Sequence, residues 1–405
     1  MHGDNMMIEC GQGGHLYGKS PYNLCSLKEL SLRAQFLLAH LIMKIGVISG
    51  LYPPYTRGGA EWVAADEARS LKDAGADVFV ITTEPWQGWG SFRPRMTEEE
   101  GVRVYRFFSL NIFSYYRIGQ HVFLWRALWH LRDMFNLSAA RVVKKIVQAE
   151  QPDVVITHNL KGFGFLVPHA LHALSVKHIH TLHDVHLVVP SGLLTVGGTE
   201  GRLARLYTRV TRKLFGSPAV VRAPSEWLLR FYGDRGFFPN SQKQVTRPAE
   251  AHAVGAAQGH KERGDCLNVL FVGQLQKHKG ILFLMNVWKE LISEHGEKRL
   301  HLAIAGDGLL ANQMAVQWEG YTSVELHGYT TRDRLSRLYK QADVVVVPSL
   351  VYENAPTVIF EAHSYGVPVI ATRAGGIPEI VNEHDVLVEA GDKDGLKAAI
   401  EDFLG

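Results

Sequence analysis

From Met43 onward, short continuous apolar runs alternate with longer stretches in which apolar residues recur every three or four positions. Lys44–Ser49, Asp77–Thr83, Val102–Phe107, Asp153–His158, Lys177–His183 and Ala219–Pro224 form one series of runs. Leu267–Gly273, Leu300–Gly306, Val324–Gly328, Asp343–Ser349 and Pro368–Thr372 form a second. Most of the runs are rich in β-branched residues and continuous rather than alternating, which predicts strands buried on both faces of a parallel sheet. Between them, Ile281, Leu284, Trp288 and Leu291 make one helical stripe after Gly280, and Ala60, Ala64, Ala68 and Leu71 make another after Gly59. Gly75 is placed to end the latter helix. Strands and helices in strict alternation predict an α/β chain of doubly wound, Rossmann-like domains.

The two series part in Gly236–Asp265, where Pro239, Asn240 and Pro248 are followed by Ala, Gly, His and Lys without period. The boundary is therefore placed at 248, with one domain over 43–248 and the other over 249–405, facing each other across a cleft where a ligand binds. Residues 1–42 carry neither the basic start nor the cleavage site of a secretory signal, and read as an extension outside the fold. Residues 110–135 interrupt the first series with Tyr115, Tyr116, Arg117, Trp125, Arg126, Trp129 and Arg132. Such a stretch rests on a membrane surface or a partner, or else forms an ordinary amphipathic helix whose Trp125 and Trp129, four apart, pack on one face.

A length of 405 residues suits two domains, and 46% hydrophobic residues supply their cores. Lys and Arg number 43 against 40 Asp and Glu, a net +3 too near neutral for a protein that binds nucleic acid by neutralising phosphates. Cys10, Cys25 and Cys266 are too few and too scattered for a disulfide framework, which fits a reducing, cytoplasmic setting. No apolar run approaches the roughly 18–20 residues of a membrane span.

Three strand-to-helix loops carry candidate chemistry. Arg57-Gly58-Gly59-Ala60-Glu61 follows the first strand; its glycines let a ligand approach the backbone, and the helix N-terminus offers free N–H groups to an anion. The same residues also make a tight turn, and they match neither GxGxxG nor a Walker loop. Glu353-Asn354-Ala355-Pro356-Thr357-Val358-Ile359-Phe360-Glu361 follows strand Asp343–Ser349. Pro356 suits a first helical turn, so Glu353 lies in the loop and Glu361 in the helix, about 12 Å apart as a rough guide. Two carboxylates so separated can hold hydroxyls at opposite ends of an extended ligand whose diphosphate meets the helix N-terminus between them, at Asn354 to Thr357. A nucleotide-diphosphate sugar has that shape. In Gly273-Gln274-Leu275-Gln276-Lys277-His278-Lys279-Gly280, lysines at a cleft mouth bring cationic charge to a diphosphate, or are simply solvated.

Taken together, these residues resemble the retaining glycosyltransferases of family 4 (glycosyl transferases group 1), with the GT-B fold. The resemblance runs from Met43 to about Gly395 through Gly58-Gly59-Ala60-Glu61, Leu182-His183-Asp184, Ala223-Pro224-Ser225-Glu226, Gly273 to Gly280 and Ala305-Gly306-Asp307-Gly308. It continues through His327-Gly328-Tyr329, Ala342-Asp343, Pro348-Ser349, Glu353 with Glu361, and Gly375-Gly376-Ile377-Pro378-Glu379. It implies that Gly58 and Gly59 meet the donor phosphate beside the acceptor site and that His183 places the donor sugar. It further implies that Lys279 binds the diphosphate, Glu353 the sugar and Glu361 the ribose. Such enzymes build polysaccharides and glycolipids from a nucleotide-sugar donor and a glycan or lipid-linked acceptor. They work without metal or cofactor, because cationic side chains neutralise the diphosphate. They keep the anomeric configuration, with the leaving phosphate taking the acceptor proton.

Two features depart from the family pattern. Gln274 stands where an arginine is usual, leaving the leaving group one charge short unless Lys277 or Arg57 fills in. The chain also ends at Gly405 inside the helix read over Leu396–Phe403, where relatives continue with further helices. A catalytically weak sugar-nucleotide binder acting as a partner subunit is the alternative reading. The cluster His178, His180, His183, His186 raises a zinc site, but its order differs from His-x-His-x-Asp-His hydrolases, and chance clusters arise among 20 histidines. Asp392-Lys393-Asp394 reads as a solvated turn. An NAD enzyme would share the fold but lacks the dinucleotide fingerprint here.

Overall fold

The computed structural model describes residues 43–198, 201–247 and 265–405. The extension over 1–42 and the boundary at 248 lie outside the described residues. Eight strands make the first sheet: β1 Lys44–Ser49, β2 Asp77–Thr83, β3 Arg95–Glu99, β4 Val102–Phe107, β5 Val154–Thr157, β6 Lys177–Thr181, β7 Val220–Ala223 and β8 Gln242–Val245. Six make the second: β9 Leu267–Val272, β10 Leu300–Ala305, β11 Val324–Gly328, β12 Val344–Val347, β13 Val369–Thr372 and β14 Val386–Val388. Helices of the first half are α1 Gly59–Asp73, α2 Phe123–Met134, α3 Leu137–Glu150, α4 Val167–His172, α5 Arg202–Phe215 and α6 Glu226–Gly233. Those of the second are α7 Ile281–His295, α8 Ala311–Gln317, α9 Arg332–Gln341, α10 Thr357–Ser364 and α11 Lys393–Glu401.

The sheet orders are β3-β4-β2-β1-β5-β6-β7-β8 and β11-β10-β9-β12-β13-β14. Every neighbouring pair is parallel except β3 with β4. Leaving aside the hairpin strand β3, both orders run outward in two directions from their first strand, as in a doubly wound sheet. The order reverses between β1 and β5 in one sheet and between β9 and β12 in the other. Ligands of such sheets bind beyond the carboxyl ends of the strands at these switch points. The continuous apolar runs are buried as their pattern demands: Val47, Val155, Leu302 and Val344 are wholly inaccessible, as are Ile281, Leu284, Trp288 and Leu291 on α7.

Three strands escape the sequence pattern. β3 is the polar Arg-Met-Thr-Glu-Glu, paired on one side only. β8, Gln-Lys-Gln-Val, is exposed throughout and falls inside the segment read as a break between domains. β14 has three residues. The Asp392 turn is also structural: its carboxylate accepts the Gly395 N–H at 3.0 Å and caps α11.

On α2 the two tryptophans lie four apart on one side of the helix but differ in burial. Trp129 is fully buried and donates its indole N–H to the Phe113 carbonyl at 2.7 Å, whereas Trp125 is half exposed. The buried face runs through Trp129, Asp133 and Met134, and position 125 lies off its edge.

Buried histidines tie the first half of the molecule to pH. His178 and His180 both contact the Thr157 hydroxyl, at 2.7 and 2.8 Å. Burial pushes His178 down to about 3, and burial with neighbouring charges pushes His183 to about 3 and His130 to about 4. Each is neutral when folded and takes up a proton on unfolding below about pH 6.5. Their contribution is therefore complete at pH 7 and lost as pH falls toward their folded values, about 2 kcal/mol per histidine by pH 5. Asp133, pushed by burial up to about 7, works the other way but is one group against three. A melting temperature several degrees lower at pH 5 than at pH 7 is expected in scanning calorimetry; a flat profile would refute the burial account.

Candidate functional site

The loops leaving β9 and β12 converge. Gly280 has φ 76°, and a Cβ there would run into the Pro348 carbonyl, so glycine alone lets the Lys277–Lys279 turn press against the end of β12. The result is a direct ion pair: Lys279 Nζ lies 2.7 Å from Glu353 Oε1, which also accepts the Ser349 hydroxyl at 3.0 Å. From behind, the Glu353 carbonyl accepts the Gly376 N–H at 2.8 Å. Glu361, one turn into α10, stands apart from this pair. Its Oε2 accepts the Tyr339 hydroxyl at 2.7 Å, and the buried Tyr339 stacks on Tyr365. The two glutamates thus occupy separate environments at either end of the loop and first helical turns. Thr357 is exposed at the start of α10, with Ala355 and Pro356 partly covered before it.

The facing loops come off β1, β5 and β6. The Gly58 N–H donates to Glu61 Oε2 at 2.9 Å, and burial pushes the Glu61 carboxyl up despite that bond. No packing neighbour demands glycine at 59, and at 58 the nearest is Glu61 Oε2 at 3.9 Å. The backbone at 58 is extended, and both glycines are exposed. His183 follows β6, its Nε2 2.9 Å from His158 Nδ1, and His158 Nε2 lies 3.1 Å from Glu67 Oε2. Glu67 in turn accepts from Arg222 at 2.8 Å. Burial works against the Glu67 charge, yet His158 and Arg222 hold the carboxyl below its ordinary value. A carboxylate beside His158 Nε2 calls for the proton there, which makes His158 Nδ1 the acceptor and His183 Nε2 the donor. Beside them, Asp184 sits between Lys161 at 3.6 Å and His186; burial opposes its charge, but these two hold it far below the usual carboxylate range.

Contacts across the cleft join the two sets of loops. Gln274 Nε2 donates to the Arg57 carbonyl at 2.9 Å, and Asn354 Nδ2 donates to the His183 carbonyl. Glu379 accepts the N–H groups of Glu226 and Trp227, both at 2.7 Å, and so caps α6 from the other half. Tyr352 N donates to the Leu194 carbonyl at 2.8 Å. The sequence-predicted residues Gly58, Gly59, His183, Gln274, Lys279, Glu353 and Asn354 are thereby gathered along one seam. Of the two proposed substitutes for the missing arginine, Lys277 is exposed, and Arg57 turns its guanidinium to the Tyr115 carbonyl at 3.1 Å. The Arg57 main chain, not its charge, meets Gln274. The histidine run does not converge on one point, since His178 and His180 serve Thr157, His183 serves His158 and His186 serves Asp184. Among the described residues, the one trio spaced for a metal is Glu294, His295 and Glu401, on the surface of the second half.

Sequence reasoning missed Glu67, His158, Arg222, Lys161 and Tyr339. The first three arise on α1, after β5 and on β7, and no local spacing connects them.

Residues 58–248 match the model of the glycosyl transferase 4-like domain, and residues 266–405 that of glycosyl transferases group 1. An uncharacterised glycosyltransferase of Methanocaldococcus jannaschii is 38% identical over 358 residues, 85% of this chain and 84% of that protein. The chain belongs to the family 4 (group 1) glycosyltransferases. Their GT-B architecture recurs in solved structures of low identity. Anabaena HepE in complex with UDP superposes with a TM-score of 0.61 at 18% identity, covering 89% of each chain. Sucrose-phosphate synthase from Thermosynechococcus elongatus gives 0.63 at 19% identity, covering 89% of this chain and 90% of that one. This glycosyltransferase therefore has the two-domain α/β fold its sequence pattern predicts. No helix among the described residues is long and apolar enough to cross a membrane.

Proposed function

We propose that this glycosyltransferase moves a hexose from a UDP- or GDP-sugar to a glycan, lipid-linked or small-molecule acceptor, with retention of configuration and without a metal ion. The single observation that carries the reading is the Lys279–Glu353 ion pair at the switch point of the second sheet, on a loop whose Gln274 meets the Arg57 carbonyl next to Gly58. Lys279 supplies the cation for the diphosphate, the N-terminus of α10 receives its phosphates, and Glu353 accepts the sugar hydroxyls. Glu361, held by Tyr339, takes the ribose. His183, neutral because burial lowers it to about 3 and with its Nε2–H given to His158, accepts a sugar hydroxyl at Nδ1 rather than bringing a charge. On the acceptor side, Glu61 is taken up by the Gly58 N–H and Asp184 by Lys161 and His186, so the departing phosphate takes the acceptor proton. A neighbour solved with UDP supports a nucleotide-diphosphate donor. Domain 43–248 then carries the acceptor and domain 249–405 the donor.

The reading is tested by a thermal-shift panel with EDTA present. A UDP- or GDP-sugar at about a hundred times its dissociation constant adds about 2.7 kcal/mol, a rise of several degrees, while NAD adds none. Stabilisation by NAD alone would overturn the reading. Loss of transfer on adding EDTA would refute metal independence, and inversion in the product's anomeric NMR signal would refute retention. One observation favours the second reading, a binder with weak turnover: Gln274 is neutral and Glu353 already takes up the Lys279 charge. Strong donor binding without transfer to any acceptor would select it.

A further inference from the structure

Two charged residues of the first domain stand where the pattern calls for apolar ones. Position 67 falls at helical spacing from Ala60, Ala64 and Leu71 on α1, yet it is Glu67. Position 222 lies inside β7, Val-Val-Arg-Ala, yet it is Arg222. The two side chains meet at 2.8 Å, each less than a quarter exposed. An ion pair withdrawn from water contributes little net stability over apolar residues of the same volume. A local rule broken without a gain in packing points to a functional role.

What the pair reaches is His158. Arg222 takes Glu67 Oε1, while Oε2 lies 3.1 Å from His158 Nε2. His158 is wholly inaccessible, and its Nδ1 lies 2.9 Å from His183 Nε2, with the two rings inclined at 24°. Between neutral rings a single proton fills that gap, and either ring can carry it. If His158 Nδ1 carries it, His183 is left with N–H at Nδ1 and is a donor there. If His183 Nε2 carries it, His183 Nδ1 is a bare acceptor. An ionised carboxylate only accepts, so Glu67 demands N–H at His158 Nε2 and selects the second arrangement. The main chain of His183 is held as well, since its carbonyl receives Asn354 Nδ2. His183 Nδ1 has no partner among the described residues.

We propose that Glu67, acting through His158, is a positioning residue for transfer: it sets the proton on His183 Nε2 and leaves Nδ1 to accept a hydroxyl of the donor sugar. The inference rests on the donor reading of the cleft only for what Nδ1 meets; where the proton sits is a property of the free protein. A carboxylate behind a histidine fixes the tautomer in hydrolytic triads, where its replacement by an amide leaves the geometry intact and the wrong nitrogen protonated. Here the carboxylate acts one ring further away. Arg222 decides which oxygen is left for His158, because it holds the other.

The test is long-range proton–nitrogen NMR of the full-length protein carrying isotope-labelled histidine, near neutral pH, with the two rings assigned from His158→Asn and His183→Asn. The wild type is expected to show Nε2 protonated and Nδ1 bare in both rings. Glu67→Gln is nearly isosteric. Arg222 keeps the amide oxygen, so the amide N–H group turns to His158 Nε2 and reverses both tautomers, a shift of at least about tenfold in their ratio. With a UDP- or GDP-sugar that the wild type uses, the turnover number is expected to fall at least about tenfold while the melting temperature holds. Glu67→Leu with Arg222→Leu removes the charges together, leaves neither unpaired, and is expected to give a mixture of tautomers on His183. A bare Nδ1 on His183 retained in both variants overturns the proposal. So does a doubly protonated His158 in the wild type, or an unchanged turnover number beside a reversed tautomer. A wild type that shows the expected tautomers but transfers no sugar refutes the donor reading instead, with the placing of the proton intact.

Discussion

Lys279→Ala is expected to lower transfer at least about a hundredfold, and Glu353→Gln by a similar factor, with the fold intact in both. Each removes one interaction next to the reacting carbon or its leaving group, where a single preorganised contact is worth about 2.7–4 kcal/mol. The structure adds a condition that the residue types alone do not contain. Because the two side chains meet at 2.7 Å, each variant also disturbs the other. Without Lys279, the Glu353 carboxylate faces the incoming diphosphate as an unpaired negative charge; without the Glu353 charge, Lys279 is left with no partner to hold its position. The double variant should therefore cost clearly less than the sum of the two losses, by at least about 1 kcal/mol. Initial rates of the four forms with one donor, alongside their melting temperatures, close the cycle. Near-normal turnover in either single variant sinks the site assignment. Strict additivity means that the ion pair opens before the donor binds.

What was legible in the chain follows from what buries. Strands β1, β5, β9 and β12 stand in the middle of their sheets, covered on both faces, and read as unbroken apolar runs. Edge strands face solvent, so β3 and β8 carry polar side chains and read as loops. Trp125 and Trp129 show the same limit on a helix: four-residue spacing places them near each other, but whether that side faces core or solvent is decided by Trp129 alone reaching the Phe113 carbonyl. At the candidate site, Glu353 and Lys279 could be singled out because each sits in a short loop after an apolar strand, with Glu361 one turn into the following helix, whereas His183 entered only through the family resemblance. The chain behind His183 was not legible. Glu67 and Arg222 are separated by 155 residues and meet only because β1, β5, β6 and β7 lie side by side. Likewise, Glu379 was visible as part of a motif, but its capping of α6 from the opposite half depends on how the halves meet.

Gln274→Arg is expected to speed transfer about tenfold or more, near 1.4 kcal/mol off the barrier. A departing nucleotide diphosphate gathers negative charge, and a guanidinium can meet two of its oxygens at once, whereas an amide brings no charge. The structure shows what the glutamine does instead: it straps the second half to the first through the Arg57 carbonyl, and its own Oε1 accepts from Gln276 at 3.2 Å. An arginine has five N–H donors and can keep the strap with one while turning the others to the phosphate. The Arg57 guanidinium is engaged with the Tyr115 carbonyl and Lys277 is exposed, which leaves room for the newcomer. Gln274→Ala separates the two roles. If the strap matters, that variant raises the Michaelis constant for the donor with little change in turnover number, and the arginine variant does not. If leaving-group charge matters, the arginine variant raises the turnover number itself. An arginine variant no faster than the parent, measured with the same donor and acceptor, would mean that the glutamine belongs to a site tuned around the strap, and that the diphosphate finds its positive charge in Lys279 and the α10 N-terminus alone.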